Sequence, residues 1–322
     1  MSAIWITWEK QRRNRSMAAA VGATLHEMDY PGARLTRYWM LGRRTVRLIR
    51  ESRPTTVFFQ NPSMALAALV ATLKFLKLTH ARTIGDFHNA GVYPPAARFL
   101  VPWIVRHTDL VIVSNRNLEP AILAAGGRCM SVPDPLPDIE PAAEQSGGAG
   151  RFEAFFICSW ADDEPIVEVL EAARHLTASG DDVVISISGR PRLERVGWRE
   201  PVPSNVELTG FLSAEAFDAR LAGAAAVIDL TTRDDCMVCG AYEAVSAEVP
   251  MIVSGNEPTR LYFRKGAIFT DNTAADIARA VLEVKRRHAA LKAEVADLKR
   301  ELLRTEQETL GRLRELSGVP SR

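Results

Sequence analysis

Short apolar runs rich in β-branched and aromatic residues alternate with helix-length amphipathic segments along the whole chain, which is the rhythm of βαβ units. Strands are predicted at 3–7, 24–28, 56–60, 83–87, 110–114 and 129–132, with helices between them. Six strands at this spacing predict a doubly wound parallel sheet. The period then lapses. Asp134-Pro-Leu-Pro-Asp-Ile-Glu-Pro141 runs into Gln145-Ser-Gly-Gly-Ala-Gly150, a Pro- and Gly-rich stretch that reads as a linker. The rhythm resumes with strands at 154–158, 182–188, 206–209, 226–229, 250–254 and 267–269, a second sheet of the same kind. From 273 to about 316 the pattern is helical and charge-laced. Leu291, Val295, Leu298 and Leu302 recur at coiled-coil spacing, but the seam fails at Thr305 and Thr309, so a long helix packed on its own protein is expected. The expected division is 1–138, a linker at 139–151, and 152–322. Ligands of open parallel sheets bind beyond the carboxyl ends of the strands, so function is sought in the strand-to-helix loops of two α/β domains expected to face a cleft.

Composition narrows the class. With 322 residues, 47% hydrophobic and 25% charged, the chain suits two globular domains and excludes collagenous, disordered and disulfide-scaffold classes. Four cysteines fit a reducing compartment, and the first ten residues lack a basic segment followed by an apolar one, so a cytoplasmic location is expected. The longest apolar stretch, 64–78, is interrupted by Lys74 and Lys77 and is shorter than the roughly 20 residues a spanning helix needs. The net charge of +1 hides an asymmetry: residues 1–130 hold 18 Lys and Arg against 7 acids, and the remainder 22 against 32. A basic half suits nucleic acid, a phosphate-bearing substrate or an anionic membrane. Three basic, aromatic segments, 34–50, 74–78 and 98–103, read singly as ordinary amphipathic helices with Arg-rich outer faces. Three in one domain favour a peripheral position on the inner face of the cell membrane. No nucleic-acid motif is present, and no nucleic-acid partner is expected.

Four loops could carry chemistry. Trp8-Glu-Lys-Gln-Arg-Arg-Asn-Arg15 puts Lys10, Arg12 and Arg13 at a strand end before a helix, a seat for phosphate unless it is a solvated charge run. Glu9 among these cations suits a base or a sugar-hydroxyl acceptor. Ile84-Gly-Asp-Phe-His-Asn89 sets Asp86 and His88 on one side of an extended backbone, a proton-transfer pair, with Asn89 adding a donor and an acceptor. The bland alternative is an Asx turn with a core histidine. Cys158-Ser-Trp-Ala-Asp-Asp-Glu-Pro165 places acids where they complement a helix dipole, but capping does not require Trp160. Arg190 and Arg192 leave the next strand toward the same edge, ready for a diphosphate. In Leu230-Thr-Thr-Arg-Asp-Asp-Cys-Met-Val-Cys-Gly-Ala-Tyr-Glu243, seven residues separate Asp235 from Glu243. Gly240 there permits close backbone approach, and amides at the helix start suit phosphate oxygens. Cys236 and Cys239 have no second pair at zinc spacing, which argues against metal or redox chemistry.

At these residues the sequence resembles GT-B nucleotide-sugar glycosyltransferases of the family 4-like group. An acid, seven residues, then Glu-Ala-Val-Ser-Ala-Glu-Val-Pro is similar to their paired-glutamate motif, with Asp235 standing where Glu is usual. The resemblance implies that Asp235 faces the donor sugar and Glu243 the ribose. Retaining members carry an Arg and a Lys after the first donor-domain strand, where this chain has Ser159-Trp-Ala-Asp-Asp-Glu164. That segment, with Gln60-Asn-Pro-Ser63 and Asp86-Phe-His-Asn89, is similar to the β-1,4-mannosyltransferases of lipid-linked chitobiose. An inverting hexosyl transfer is therefore implied, from a nucleoside-diphosphate sugar to a lipid-linked or polysaccharide acceptor. Asp86 is the expected base, with His88 and Glu9 as rivals. Trp160, Asp163, Glu164, Arg190, Arg192, Thr232, Asp235, Cys236, Gly240 and Glu243 are the expected donor contacts, and Lys10, Arg12, Arg13, Asn61 and Asn89 the acceptor or phosphate contacts. No essential metal or other cofactor is expected, although Asp162, Asp163 and Glu164 offer adjacent carboxylates to Mg²⁺. A nucleotide-sugar epimerase or hydrolase on the same fold, or an inactive sugar-nucleotide-binding scaffold, are the competing readings.

Overall fold

The computed structural model describes residues 2–61, 63–94, 97–142, 151–234 and 236–318. Part of the expected linker (143–150) and Asp235 lie outside them, as do the side chains of Arg12 and Asn89. The chain forms two compact units, residues 1–135 with 304–322, and residues 136–303.

The first unit runs β1 (Ala3–Thr7), α1 (Arg12–Ala20), β2 (Thr24–Glu27), α2 (Arg34–Ser52), β3 (Thr56–Asn61), α3 (Met64–Phe75), β4 (Arg82–Phe87), α4 (Asn89–Val92), α5 (Val101–Arg106), β5 (Leu110–Val113), α6 (Glu119–Ala124) and β6 (Cys129–Ser131). All its strand pairs are parallel, in the order β2-β1-β3-β4-β5-β6. β1, β3 and β5 are buried along their whole length, as runs such as Leu-Val-Ile-Val must be when helices cover both faces. Alternate residues serve opposite cores. Ile4, Ile6, Val57 and Phe59 meet α2, α3 and α5 through Leu41, Ile49, Val70 and Ile104. Trp5 and Phe58, stacked 5.2 Å apart, face Met17 of α1 and, from the end of the chain, Leu310 and Leu313.

The second unit runs β7 (Phe152–Phe156), α7 (Ile166–Ala178), β8 (Val183–Ser188), β9 (Val206–Gly210), α8 (Ala214–Gly223), β10 (Ala226–Asp229), α9 (Cys239–Ser246), β11 (Met251–Ser254), α10 (Glu257–Tyr262), β12 (Ala267–Thr270) and α11 (Ala274–Ser317). Its parallel sheet has the order β12-β11-β10-β7-β8-β9. Ala154, Phe156, Ile185 and Ile228 pack against α7 and the first turns of α11, while Phe155, Val227 and Met251 pack against α9 and later turns of α11. Thr273 caps α11, its hydroxyl accepting the Asp276 N–H. This 44-residue helix reads as a single amphipathic element: Leu291, Val295, Leu298 and Leu302 are buried in the second unit, Leu310 and Leu313 in the first.

Connections reverse direction between β1 and β3 in the first sheet and between β10 and β7 in the second. These are the switch points where loops part and leave room for a ligand.

Candidate functional site

At the second unit's switch point the loops after β7, β8 and β10 enclose a cavity of about 480 Å³ lined by Trp160, Asp163, Arg192, Arg195, Thr232 and Arg233, among others. The loop after β7 is held open by Glu164. Its carboxylate accepts the N–H of Ser159 at 2.9 Å, the Ser159 hydroxyl at 3.0 Å and the Ala161 N–H at 2.7 Å, so Glu164 shapes the loop and has little left for a donor. Trp160 sits in the left-handed region at φ 63°, its ring buried and its Nε1 donating to the Ser188 carbonyl at 2.9 Å. Only a residue without Cβ fits beneath it: at Gly189 (φ +81°) a Cβ would stand 2.3 Å from the Cys158 carbonyl oxygen. The tryptophan is thus a fixed wall of the cavity. Asp163 accepts the Thr231 hydroxyl at 2.9 Å and Arg233 at 3.1 Å, and its carbonyl takes the Thr232 N–H at 2.7 Å, tying the β7 loop to the β10 loop. Arg195 reaches Asp162 at 2.6 Å. Arg192 lines the cavity and Arg190, exposed on the same loop, does not.

The start of α9 is already occupied by a carboxyl group of the protein. The Asp229 carboxyl, at the end of β10, accepts the Gly240 N–H at 2.6 Å and also bonds the Ala241 N–H. Burial pushes its pKa well above the usual carboxylate range, and the neighbouring charges of Glu243 and Glu164 push the same way against the Gly240 bond. The expectation that the Gly240 amide meets a donor phosphate is corrected accordingly, because that N–H is committed to Asp229. Gly240 is glycine for the same contact: a Cβ there would lie 2.5 Å from both Asp229 Oδ2 and Ile157 Cδ1. Glu243 is buried one turn into α9, and the Cys236 carbonyl accepts from Asn256 at 2.9 Å. Asp235 lies outside the described residues.

In the first unit the basic loop divides. Arg13 is buried, and its guanidinium grips Asp86 with Nε and Nη2 at 3.0 and 2.9 Å, the Val132 carbonyl at 3.1 Å, and Asp134. Burial alone would lower its pKa; Asp134 and Asp86 outweigh that and raise it. For Asp86 burial acts upward, but Arg13 and then His88 hold the carboxyl well below the usual range. Two expectations are thereby corrected: Arg13 is an internal counter-ion and not a phosphate contact, and Asp86, 1% exposed with both oxygens taken, is not placed to accept a proton from an acceptor. His88 is partly exposed, with Nε2 3.4 Å from Asp86 Oδ2 and no hydrogen bond to it. Glu9 Oε2 accepts from Gln11 at 3.1 Å, opening a chain that runs through Gln60 to Asn14, whose Oδ1 takes the Trp5 indole N–H. Lys10 is exposed at the same loop, and Asn61 is buried with its Oδ1 unbonded.

Sequence reasoning missed Arg195, Arg233, Asp229 and Asp134. An acid closing the apolar run Ala226-Val-Ile-Asp229 was a signal for the third; the others belong to pairs that only the fold assembles.

No protein-family model and no curated protein sequence matches the chain. Solved structures do. HepE of Anabaena, solved with UDP and glucose, superposes with a TM-score of 0.70 at 12% identity over 97% of this chain and 99% of that one. Its structure with UDP-glucose gives 0.71 at 11% identity. A glycosyltransferase of Rickettsia africae gives 0.64 at 9% identity over 96% and 98%. The likeness spans both units, and the fold is GT-B.

Proposed function

We propose that this chain is a glycosyltransferase that moves a hexosyl group from a nucleoside-diphosphate sugar to a lipid-linked or polysaccharide acceptor by inverting displacement. The observation that carries the reading is the cavity at the second unit's switch point, walled by Trp160 and edged by Arg192, Arg195 and Arg233, on a fold whose solved examples include HepE with UDP-glucose. In the proposed reaction the acceptor oxygen attacks the anomeric carbon, its proton passes to a base of the first unit, and the nucleoside diphosphate departs with its charge met by the cavity arginines. His88 is the base this geometry favours, its ring 3.4 Å from an Asp86 carboxylate that Arg13 holds ionised. Glu9 is left for an acceptor hydroxyl. Glu243 remains the proposed ribose contact and Asp235 the sugar contact. Asp163 and Glu164 are committed to protein partners, which supports transfer without an essential metal, so activity is expected to survive chelation. We place the chain in the cytoplasm, held peripherally at the inner face of the cell membrane.

Melting the protein with UDP, GDP, ADP and dTDP, and with their sugars, tests the donor site. A ligand at about 100 times its Kd stabilises the native state by about 2.7 kcal/mol. One nucleotide family should raise Tm, and Arg192→Ala or Arg195→Ala should weaken that nucleotide on the order of tenfold by removing a charge-assisted bond. Silence from every nucleotide would sink the donor assignment. His88→Ala should then abolish transfer while leaving the nucleotide shift intact.

A further inference from the structure

We propose that the outer face of α2 is the surface by which the chain docks on an anionic lipid bilayer. The proposal deepens the peripheral placement made above, and rests on it only for the idea that the partner is a membrane. α2 turns Leu41, Thr45 and Ile49 inward, at the four-residue spacing of one helix face. The opposite stripe is Leu35, Trp39, Arg43, Arg47 and Arg50, all exposed. Leu35 is 85% exposed and Trp39 59%, and the Arg43 guanidinium lies over the Trp39 ring at 4.7 Å. A groove of about 580 Å³ runs along this stripe, edged by Trp39, Arg43, Arg47 and Arg50.

The charges on the helix have no internal purpose to exhaust them. α2 holds six arginines and one acid, Glu51. Arg37 is used by the Trp8 carbonyl and Arg44 by that of Asp29, whereas Arg43, Arg47 and Arg50 form no ion pair with any described residue. Three unpaired guanidiniums beside an exposed indole and leucine ask for an anion above an apolar medium, which is the layering of a phospholipid surface.

The neighbouring helices extend the same character. Gly42 of α2 lies against Leu69 of α3, and Phe75 at the end of α3 meets Trp103 and His107 at α5, so the three helices form one layer on one face of the sheet. That layer leaves Phe75 57% and Phe99 78% exposed, with Leu76 and Leu78 beside Lys77. Seven of the eleven large exposed hydrophobic side chains among the described residues fall between 35 and 99. Leucines at the exposed positions favour acyl chains over nucleic acid, which would be met by cations and aromatic rings alone. No helix of the described residues is long and apolar enough to cross a membrane, so the mode is contact from one side.

The test is co-sedimentation of the full chain with phosphatidylcholine vesicles and with vesicles carrying about a third phosphatidylglycerol, at about 0.1 M and about 1 M salt. Binding is expected to the anionic vesicles alone and to disappear at the higher salt. The triple variant R43A/R47A/R50A should bind on the order of a hundredfold more weakly, and R43K/R47K/R50K should bind nearly as the parent does. Trp39→Ala should weaken binding without changing the salt dependence. These positions are exposed, so an unchanged thermal melt will show that the variants are folded. Failure to sediment with anionic vesicles overturns the proposal, as does equal loss in the lysine variant. So does a salt-sensitive affinity for single-stranded DNA exceeding that for vesicles, or a dimer in light scattering that Trp39→Ala dissociates. Nucleotide-induced melting shifts need no vesicle, so failure of the surface and failure of the donor site read out separately.

Discussion

Among the first-loop cations whose side chains are described, Arg13 turns inward and Lys10 and Arg15 stay exposed. Arg13 is buried between Asp86 and Asp134, partners 73 and 121 positions away, which no local pattern could announce. A cation run at a strand end was legible; which member turns into the core was not. The same pairing takes both Asp86 oxygens, which is why the proposed base is His88. It also fixes two stability predictions. Asp86→Ala leaves a buried guanidinium half-paired and should cost about 3 kcal/mol or more in urea unfolding. Because Arg13 holds the Asp86 carboxyl below its unfolded pKa, its contribution is complete above about pH 4 and drains away as pH falls toward the lower folded value. Asp86→Asn should therefore flatten the acid limb of a stability–pH curve, and a limb of unchanged slope would refute the pairing.

The elements were the most legible part of the chain, since strands buried on both faces must be continuous apolar runs and the helices between them must be amphipathic. All twelve predicted strands have counterparts in the two sheets. What periodicity could not supply is how an element's end is finished, and α9 is the case in point. A glycine at a helix start reads as a phosphate seat, but the seat is filled by Asp229 from β10. The sign of the consequence is opposite to that of Asp86. A carboxyl whose folded pKa is raised keeps its proton in the native state, so the protein loses stability relative to the unfolded chain as pH rises from about 4. Asp229→Asn supplies a neutral group that still accepts the Gly240 N–H. It should be about 1 to 3 kcal/mol more stable than the parent at alkaline pH, with the gap closing in acid. Gly240→Ala forces a methyl group against Asp229 and Ile157 and should cost about 1 to 3 kcal/mol at every pH. Urea titrations of the two variants across pH separate charge from sterics.

At the scale of the whole molecule, the sequence pattern divides the chain once, after residue 138, whereas the compact units assign 304–322 to the first. A single helix carries both memberships, and its amphipathic stripe is continuous across the change, so periodicity had nothing to mark it. The change of membership shows in the side chains that α11 gives to the first unit's second core. Leu313 is fully buried with Trp5, Phe58 and Met17; Ser317 gives its carbonyl to the Thr56 hydroxyl at 2.7 Å, and Arg314 reaches the Ala20 carbonyl. One face of the first sheet is thus closed by residues that follow the whole second unit in sequence. Leu313→Ala should then behave as a core truncation of the first unit, costing about 2 to 5 kcal/mol, while Leu291→Ala should do the same to the second. Hydrogen exchange distinguishes them: Leu313→Ala should raise exchange at β1 and β3 amides, and Leu291→Ala at β7 and β8. If Leu313→Ala left β1 and β3 as protected as in the parent, the end of α11 would be an appendage and the first unit would close without it. If protection falls there, a chain released after residue 303 would leave the first unit's Trp5 and Phe58 uncovered, and the second unit would fold before the first is complete.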